Sequence, residues 1–356
     1  MTTSQPHLAG RLGDAEATLA TDPRTDPRLA AVFGESATIL SGMRPLAPDT
    51  SYADCLAYCA ALESATEEQA AALEATLPAF EGVASSTETI EGLDGNAITL
   101  HLDRPRIDDG PWPCIVHLHG GGMVIGSADD PTTVRWRKSL AETGLLVVGV
   151  EFRNGGGRLG NHPFPAGLDD CASAVRWVHA QRARLGASTL VVEGESGGGN
   201  LSLAVALKAN REGWIDAIDG VYAMCPYISG AYVDPPSGLP SLRENDGYGG
   251  MHTSMMAGLA RVYDEEGPAR SEPLAWPLHA RPEDLAGLPP HIVSVNELDP
   301  LRDEGLAYYR MLAAAGVPAV GRTVHGTSHG ADVMFDVVPE VCAETLRSVV
   351  GFARSL

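Results

Sequence analysis

From about residue 110 onward, short apolar runs alternate with longer stretches in which apolar side chains recur at helical spacing. Runs near 114–118, 146–152, 189–193, 220–225, 291–295 and 319–324 read as strands, Ile292 to Val295 with a short buried-strand pattern. Stretches near 131–142, 166–184, 198–211, 303–315 and 339–354 have the period of helices. Such alternation predicts a mostly parallel sheet with helices on both faces. Upstream the pattern changes. Residues 1–50 are punctuated by Pro, Asp and Gly, and are expected to wrap over the surface. Tyr52 to Ser64 and Thr66 to Leu77 read as two amphipathic helices, with Thr66-Glu67-Glu68 opening the second. A hairpin follows, turning at Asp94-Gly95, with Ala97 to Leu102 as its second strand. Segment 228–265 interrupts the alternation, being too long for a simple crossover and rich in Gly, Pro, Tyr and Met.

Composition narrows the class. A chain of 356 residues, 44% hydrophobic and 20% charged, can bury one large core with a small appended domain. A net charge of −21 argues against nucleic acid and anionic membranes as partners. Met1 to Phe33 lacks a basic start followed by an apolar run, and no segment approaches roughly 18 apolar residues. A cytoplasmic protein is expected. The cysteines at 55, 59, 114, 171, 225 and 342 show no framework spacing and read as small buried thiols.

Chemistry first shows around Ser196. The apolar run Leu190 to Val192 leads into Gly194-Glu195-Ser196-Gly197-Gly198, and a helical stretch follows from Asn200. A strand, a sharp turn holding a serine and a helix form a nucleophile elbow. Glycines flank the serine because Cβ atoms there would collide with strand and helix. A glycine-rich turn with a chance serine is the bland alternative; the strand before and the helix after weigh against it. A second signal stands upstream, where Cys114-Ile115-Val116 leads into His117-Leu118-His119-Gly120-Gly121-Gly122-Met123. Three glycines after a strand let bare N–H groups converge on one point, as an oxyanion requires. A phosphate loop would need a following Gly-Lys-Ser/Thr, which is missing. His117 and His119 also suggest a zinc pair, but no Asp-His or Cys ligand follows at short spacing, and no metal is assigned.

An orienting acid and a base are sought downstream in the order Ser, Asp or Glu, His. The short strand pattern Ile292 to Val295 ends in Asn296-Glu297-Leu298-Asp299-Pro300-Leu301-Arg302-Asp303, where three acids compete. Asp299 is favoured, because it sits in the turn just past the strand with Pro300 opening the next helix. Asp303 falls within that helix, where the helix dipole accounts for it. After the last strand comes His325-Gly326-Thr327-Ser328-His329-Gly330. His329 fits the order, whereas His325 lies nearer the strand end and reads as structural. Histidines such as His7, His101 and His252 have no comparable context.

These segments together resemble the hormone-sensitive-lipase-like branch of the α/β-hydrolases. The resemblance rests on the His-Gly-Gly-Gly loop, Gly-Glu-Ser-Gly-Gly-Gly-Asn, Asp-Pro-Leu-Arg-Asp-Glu, His329-Gly330 and the segment from His162 to Asp170, over roughly residues 85 to 356. Two departures, Gly197 where alanine is commoner and Glu151 to Arg158 in place of Tyr-Arg-Leu-Ala-Pro-Glu, resemble the brefeldin A esterase subgroup, as does Pro226 to Gly230. The resemblance implies the α/β-hydrolase fold, a mostly parallel central sheet flanked by helices, with a helical cap. It implies Ser196 as nucleophile, His329 as general base and acid, Asp299 as orienting carboxylate, and oxyanion N–H groups from Gly121, Gly122 and Gly197. Residues 1–85 would supply N-terminal cap helices, 228–265 a cap insertion, and 86–227 with 266–356 the catalytic core.

The activity implied is that of a serine carboxylesterase acting on small esters of short to medium acyl chains, or lactones, without metal or organic cofactor. Amide or formamide hydrolysis on the same triad is the alternative among enzymes. A non-catalytic small-molecule receptor is the alternative of another class, though such a receptor is expected to lose a triad member. Tyr232, Tyr248 and Met255 are expected at the substrate, with packing of the insertion as their plainer role. The edge strand near 319–324 and the last helix offer a surface for a homodimer.

Overall fold

The computed structural model describes residues 14, 16–35, 46–106, 110–265, 267 and 269–356; His7 and the start of the expected N-terminal wrap lie outside them. Eight strands form one sheet: β1 (Val83–Glu91), β2 (Ala97–Pro105), β3 (Trp112–Leu118), β4 (Leu146–Glu151), β5 (Ala187–Glu195), β6 (Gly220–Met224), β7 (His291–Asn296) and β8 (Ala319–Val324). Their order is β1-β2-β4-β3-β5-β6-β7-β8. The β1–β2 and β2–β4 pairings are antiparallel and the others parallel. The helices are α1 (Pro27–Glu35), α2 (Tyr52–Glu74), α3 (Pro131–Glu142), α4 (Ala166–Ala180), α5 (Arg182–Leu185), α6 (Gly197–Glu212), α7 (Ser241–Glu244), α8 (Thr253–Tyr263), α9 (Pro282–Leu285), α10 (Arg302–Ala314) and α11 (Pro339–Ser355).

Parallel strands explain the apolar runs. In β5, Leu190 and Val192 face one core with α4, α6 and α10, while Val191 faces another with Trp136 of α3 and Val349 of α11. Both faces are dry, so no polar alternation survives. The edge strand β1 exposes most of its side chains, and Val320 of β8 stands exposed at the other edge. The chain crosses from β4 over β3 to β5, so the strand order reverses beside β3 and β5. A crevice opens at such a reversal, outside the carboxyl ends of the strands. The loops after β3, β5, β7 and β8, carrying the four motifs, all emerge there.

Two expectations are corrected. The predicted pair of helices between 52 and 77 is the single helix α2, started by Ser51, whose hydroxyl accepts the Asp54 N–H at 3.1 Å. Ser64-Ala65-Thr66 holds no breaker, and the Thr66 hydroxyl turns back to the Leu62 and Glu63 carbonyls instead of capping a new helix. The described N-terminal residues do more than wrap the surface. Leu19 packs against Tyr248 and Leu298, Leu29 packs against Ala331 and Val338, and the Asp26 N–H donates to the Gly326 carbonyl at 3.0 Å. They therefore brace the loops after β7 and β8.

Candidate active site

Ser196 stands at the junction of β5 and α6 with φ 53° and ψ −115°, a strained conformation for a residue with a Cβ. Its N–H donates to the Met224 carbonyl at 2.9 Å, tying the turn to β6. The glycines around it are sterically required. A Cβ on Gly198 would lie 1.8 Å from the Leu118 carbonyl oxygen, and one on Gly194 would lie 2.5 Å from Gly198. Strand, turn and helix thus cross backbone to backbone against the end of β3, leaving Ser196 as the half-buried tip.

The structure brings Ser196, His329 and Asp299 together. His329 Nε2 is 3.0 Å from Ser196 Oγ, and His329 Nδ1 is 2.8 Å from Asp299 Oδ2. A carboxylate only accepts, so the ring proton sits on Nδ1, and the Nε2 lone pair accepts the serine hydroxyl. Asp299 is fully buried, and its other oxygen accepts the Leu301 N–H at 2.8 Å. Burial alone would lower the His329 imidazole; the Asp299 charge overrides it, and the net direction is well above the ordinary histidine value. The Cys225 thiol, pushed up by its burial, and the Glu195 carboxyl, likewise pushed up, also lie near the ring.

The competing acids are occupied elsewhere. Glu297 accepts the Gly326 N–H at 2.9 Å and lies 3.2 Å from His325, whose side chain is largely exposed. His325 is therefore a surface residue, at the strand end but outside the core. Asp303 pairs with Arg302 at 2.9 Å and accepts the Ser241 N–H at 2.7 Å.

The loop after β3 makes a turn in which the Gly121 carbonyl accepts the Val124 and Ile125 N–H groups. Among the described residues, the N–H groups of Gly121, Gly122 and Met123 have no backbone acceptor. They lie beside the start of α6. A Cβ built on Gly197 would stand 2.6 Å from both the Gly122 and Met123 nitrogens. His119 and His117 are committed elsewhere. His117 Nδ1 lies 2.6 Å from Glu193, which also accepts the Trp136 indole N–H at 3.1 Å. The His119 ring stacks on Phe152 with centroids 4.1 Å apart, bonds the Gly120 carbonyl, and is pushed down to about 4 by burial. Among the described residues, the one group of His, Cys and acid side chains close enough to share a cation is Cys225, Asp299 and His329.

The three residues expected at the substrate are placed differently from one another. Tyr232 is buried, stacked on Tyr227 with centroids 4.6 Å apart, and its hydroxyl donates to Glu304 at 2.9 Å. Burial pushes that Glu304 carboxyl up to about 7. The Tyr248 hydroxyl donates to Asp22 at 2.9 Å, and the adjacent Gly249 abuts Ser328 beside His329. Met255 is buried on α8, one turn before Leu259. A Cβ on Gly122 would lie 3.2 Å from the Leu259 Cδ1. A cavity of about 750 Å³ opens on the other side of α8, lined by Ser254, Ala257, Arg261 and Trp276 among others, with none of the Ser196–His329–Asp299 group on its walls. Leu259 and Cys225 were not singled out from sequence. Cys225 had a visible signal, its position directly after β6, but its φ of 34° and contact with His329 belong to the tertiary structure.

A model of the α/β hydrolase fold family matches residues 115–333. Among curated proteins, esterase LipI of Mycobacterium tuberculosis is 32% identical over 248 residues, covering 68% of this chain and 73% of its own length. Ethyl acetate hydrolase of Pseudomonas putida is 30% identical over 253 residues, covering 69% and 75%. Among solved structures, brefeldin A esterase, described as a bacterial homologue of human hormone-sensitive lipase, superposes with a TM-score of 0.90. It is 46% identical, and 97% of each chain is covered. No helix among the described residues is long and apolar enough to cross a membrane. Site geometry, fold and relatives agree: the chain belongs to the α/β hydrolase fold family, in its hormone-sensitive-lipase-like branch of carboxylic ester hydrolases.

Proposed function

We propose that this protein hydrolyses uncharged esters of short to medium acyl chains, small lactones included, through an acyl-enzyme on Ser196. The observation that carries the reading is the continuous contact from Ser196 Oγ through both His329 nitrogens to Asp299. Oγ attacks the ester carbonyl carbon as Nε2 takes its proton, since a neutral hydroxyl is a poor nucleophile without a base. Asp299 stabilises the resulting imidazolium. The carbonyl oxygen becomes an oxyanion facing the N–H groups of Gly121, Gly122 and Gly197. Collapse breaks the bond to the alcohol oxygen, which leaves with the proton from Nε2. Water then repeats the sequence on the acyl-enzyme and frees the acid. No step in this scheme calls for a metal or an organic cofactor.

Residues 228–265 with α2 act in this reading as a cap, and Met255 and Leu259 form a wall of the acyl pocket. The placement of Leu259 against Gly122 supports that role. Preference for small acyl groups is supported by a relative named an ethyl acetate hydrolase. A fluorophosphonate probe tests the scheme: it should label Ser196, and Ser196→Ala should lose more than about 10³-fold in kcat on nitrophenyl esters while keeping its Tm. Labelling of another serine, or a fully active alanine variant, would overturn it.

A further inference from the structure

The loop that carries Asp299 is held partly from outside the sheet. Asn245, directly after α7, is fully buried, and its Nδ2 donates to the Asp299 carbonyl at 3.0 Å and reaches the Glu297 carbonyl at 3.4 Å. Four residues earlier, the Ser241 hydroxyl donates to the Pro300 carbonyl at 2.7 Å and accepts the Asp303 N–H at 3.1 Å. Arg302 adds an ion pair to Glu244 at 3.3 Å. All three residues, Asn245, Ser241 and Glu244, belong to the insertion that also carries Leu259 over Gly122. The Asn245 Oδ1 is buried with no partner among the described residues. An unpaired buried acceptor costs stability, so the donor end is what this amide contributes. It is spent on the backbone of Asp299 itself.

We propose that Asn245 is a positioning residue that sets the reach of Asp299 toward His329, so that one segment both lies over the oxyanion loop and fixes the triad's acid. The Asp299 carboxylate is joined to its own carbonyl through Cβ and Cα, and it must stay 2.8 Å from Nδ1. Without Asn245, the Asp299 carbonyl keeps the Arg302 N–H at 3.2 Å and the Glu297 carbonyl keeps the Arg302 guanidinium at 3.1 Å, but the loop loses its amide tie to the insertion and is free to shift. A misplacement of about 1 Å is enough to cost roughly 10²-fold in rate. The inference rests on the reading of Asp299 as the triad's acid.

A double-mutant cycle on the full chain tests it, with Asn245→Ala, Asp299→Asn and the pair, read by nitrophenyl butyrate kinetics and thermal unfolding. Asn245→Ala should lower kcat by about 10–100-fold with KM within about twofold. Asp299→Asn should lower kcat by about 10⁴-fold, and adding Asn245→Ala should slow it no further, because the residue acts only through the acid. A merely structural Asn245 would leave kcat of the folded variant intact and lower Tm alone, or would impose the same loss in both backgrounds; either result overturns the proposal. Should Asn245→Ala not fold, Ser241→Ala enters the same cycle in its place. An active Asp299→Asn would remove the triad assignment, and this proposal with it.

Discussion

Adding one methyl group at Gly197 tests how closely the oxyanion loop is built onto the elbow. Alanine is commoner at this position in the resembling family, so Gly197→Ala would pass for a conservative change. In this structure a Cβ there would lie 2.6 Å from the Gly122 and Met123 nitrogens and 2.8 Å from the Gly122 Cα. These are backbone atoms, with no side-chain torsion to relieve them. Ordinary contact begins at 3.4 Å, so the loop must retreat by about 0.8 Å. It cannot retreat freely, because the Gly155 N–H donates to the Met123 carbonyl and the Gly126 N–H donates to Glu63. The retreat displaces the N–H groups assigned to the oxyanion. Losing one such donor costs about 10²–10³ in turnover, and a shift of this size costs roughly 10²-fold. We expect Gly197→Ala to lower kcat by about 10²-fold on nitrophenyl acetate with KM nearly unchanged, and to lower stability by about 1–3 kcal/mol from overpacking. Steady-state kinetics beside thermal unfolding reads both. A variant with full kcat and unchanged Tm would refute the close approach and the reasoning built on it.

Other outcomes follow from the same geometry. Asp299→Asn should lose far more activity than Glu297→Gln or Asp303→Asn, because of these three acids only Asp299 bonds the imidazole; a dead Glu297→Gln enzyme with an active Asp299→Asn would reverse the assignment. Leu259→Ala and Met255→Ala should reduce kcat/KM on longer acyl esters more than on acetate, by about 0.8 kcal/mol per methylene left uncovered; equal losses across a chain-length series would make them structural. In the proposed scheme His329 acts as a neutral base, and Asp299 raises it, so kcat/KM should climb with pH through an ionisation above 6.5. Removing the charge in Asp299→Asn should move the residual limb to lower pH, and a limb that stays in place would separate Asp299 from the titration.

The chain by itself determined the layers of the fold and pointed to Ser196, His329 and Asp299, which the fold brings into contact. Strands buried on both faces are apolar over most of their length, with polar exceptions paired as His117 is with Glu193, so β3 to β7 announced themselves without any partner in view. The elbow and the His-Gly-Gly-Gly loop were legible for a similar reason: backbone crowding at Gly194 and Gly198 excludes any side chain, and that demand is written as glycine. The choice of Asp299 over Glu297 and Asp303 was legible from its place in the turn. Tertiary structure decided the rest. Continuity of α2 across Ser64-Ala65-Thr66 depended on a local hydroxyl that could either cap a new helix or bond backward, and the two are equal in sequence. Tyr232 and Met255 looked alike as apolar residues of one insertion, yet one hydroxyl is drawn inward to Glu304 while the other side chain shares its face with Leu259. Whether Gly197 is a lost methyl or an excluded one depends on how near a loop some seventy residues away in the chain approaches it. Asn245 carried no signal, because its meaning lies in the carbonyl it meets. Burial and backbone crowding act on each residue where it stands, so they mark the sequence; a distance between segments far apart in the chain exists only once both have folded.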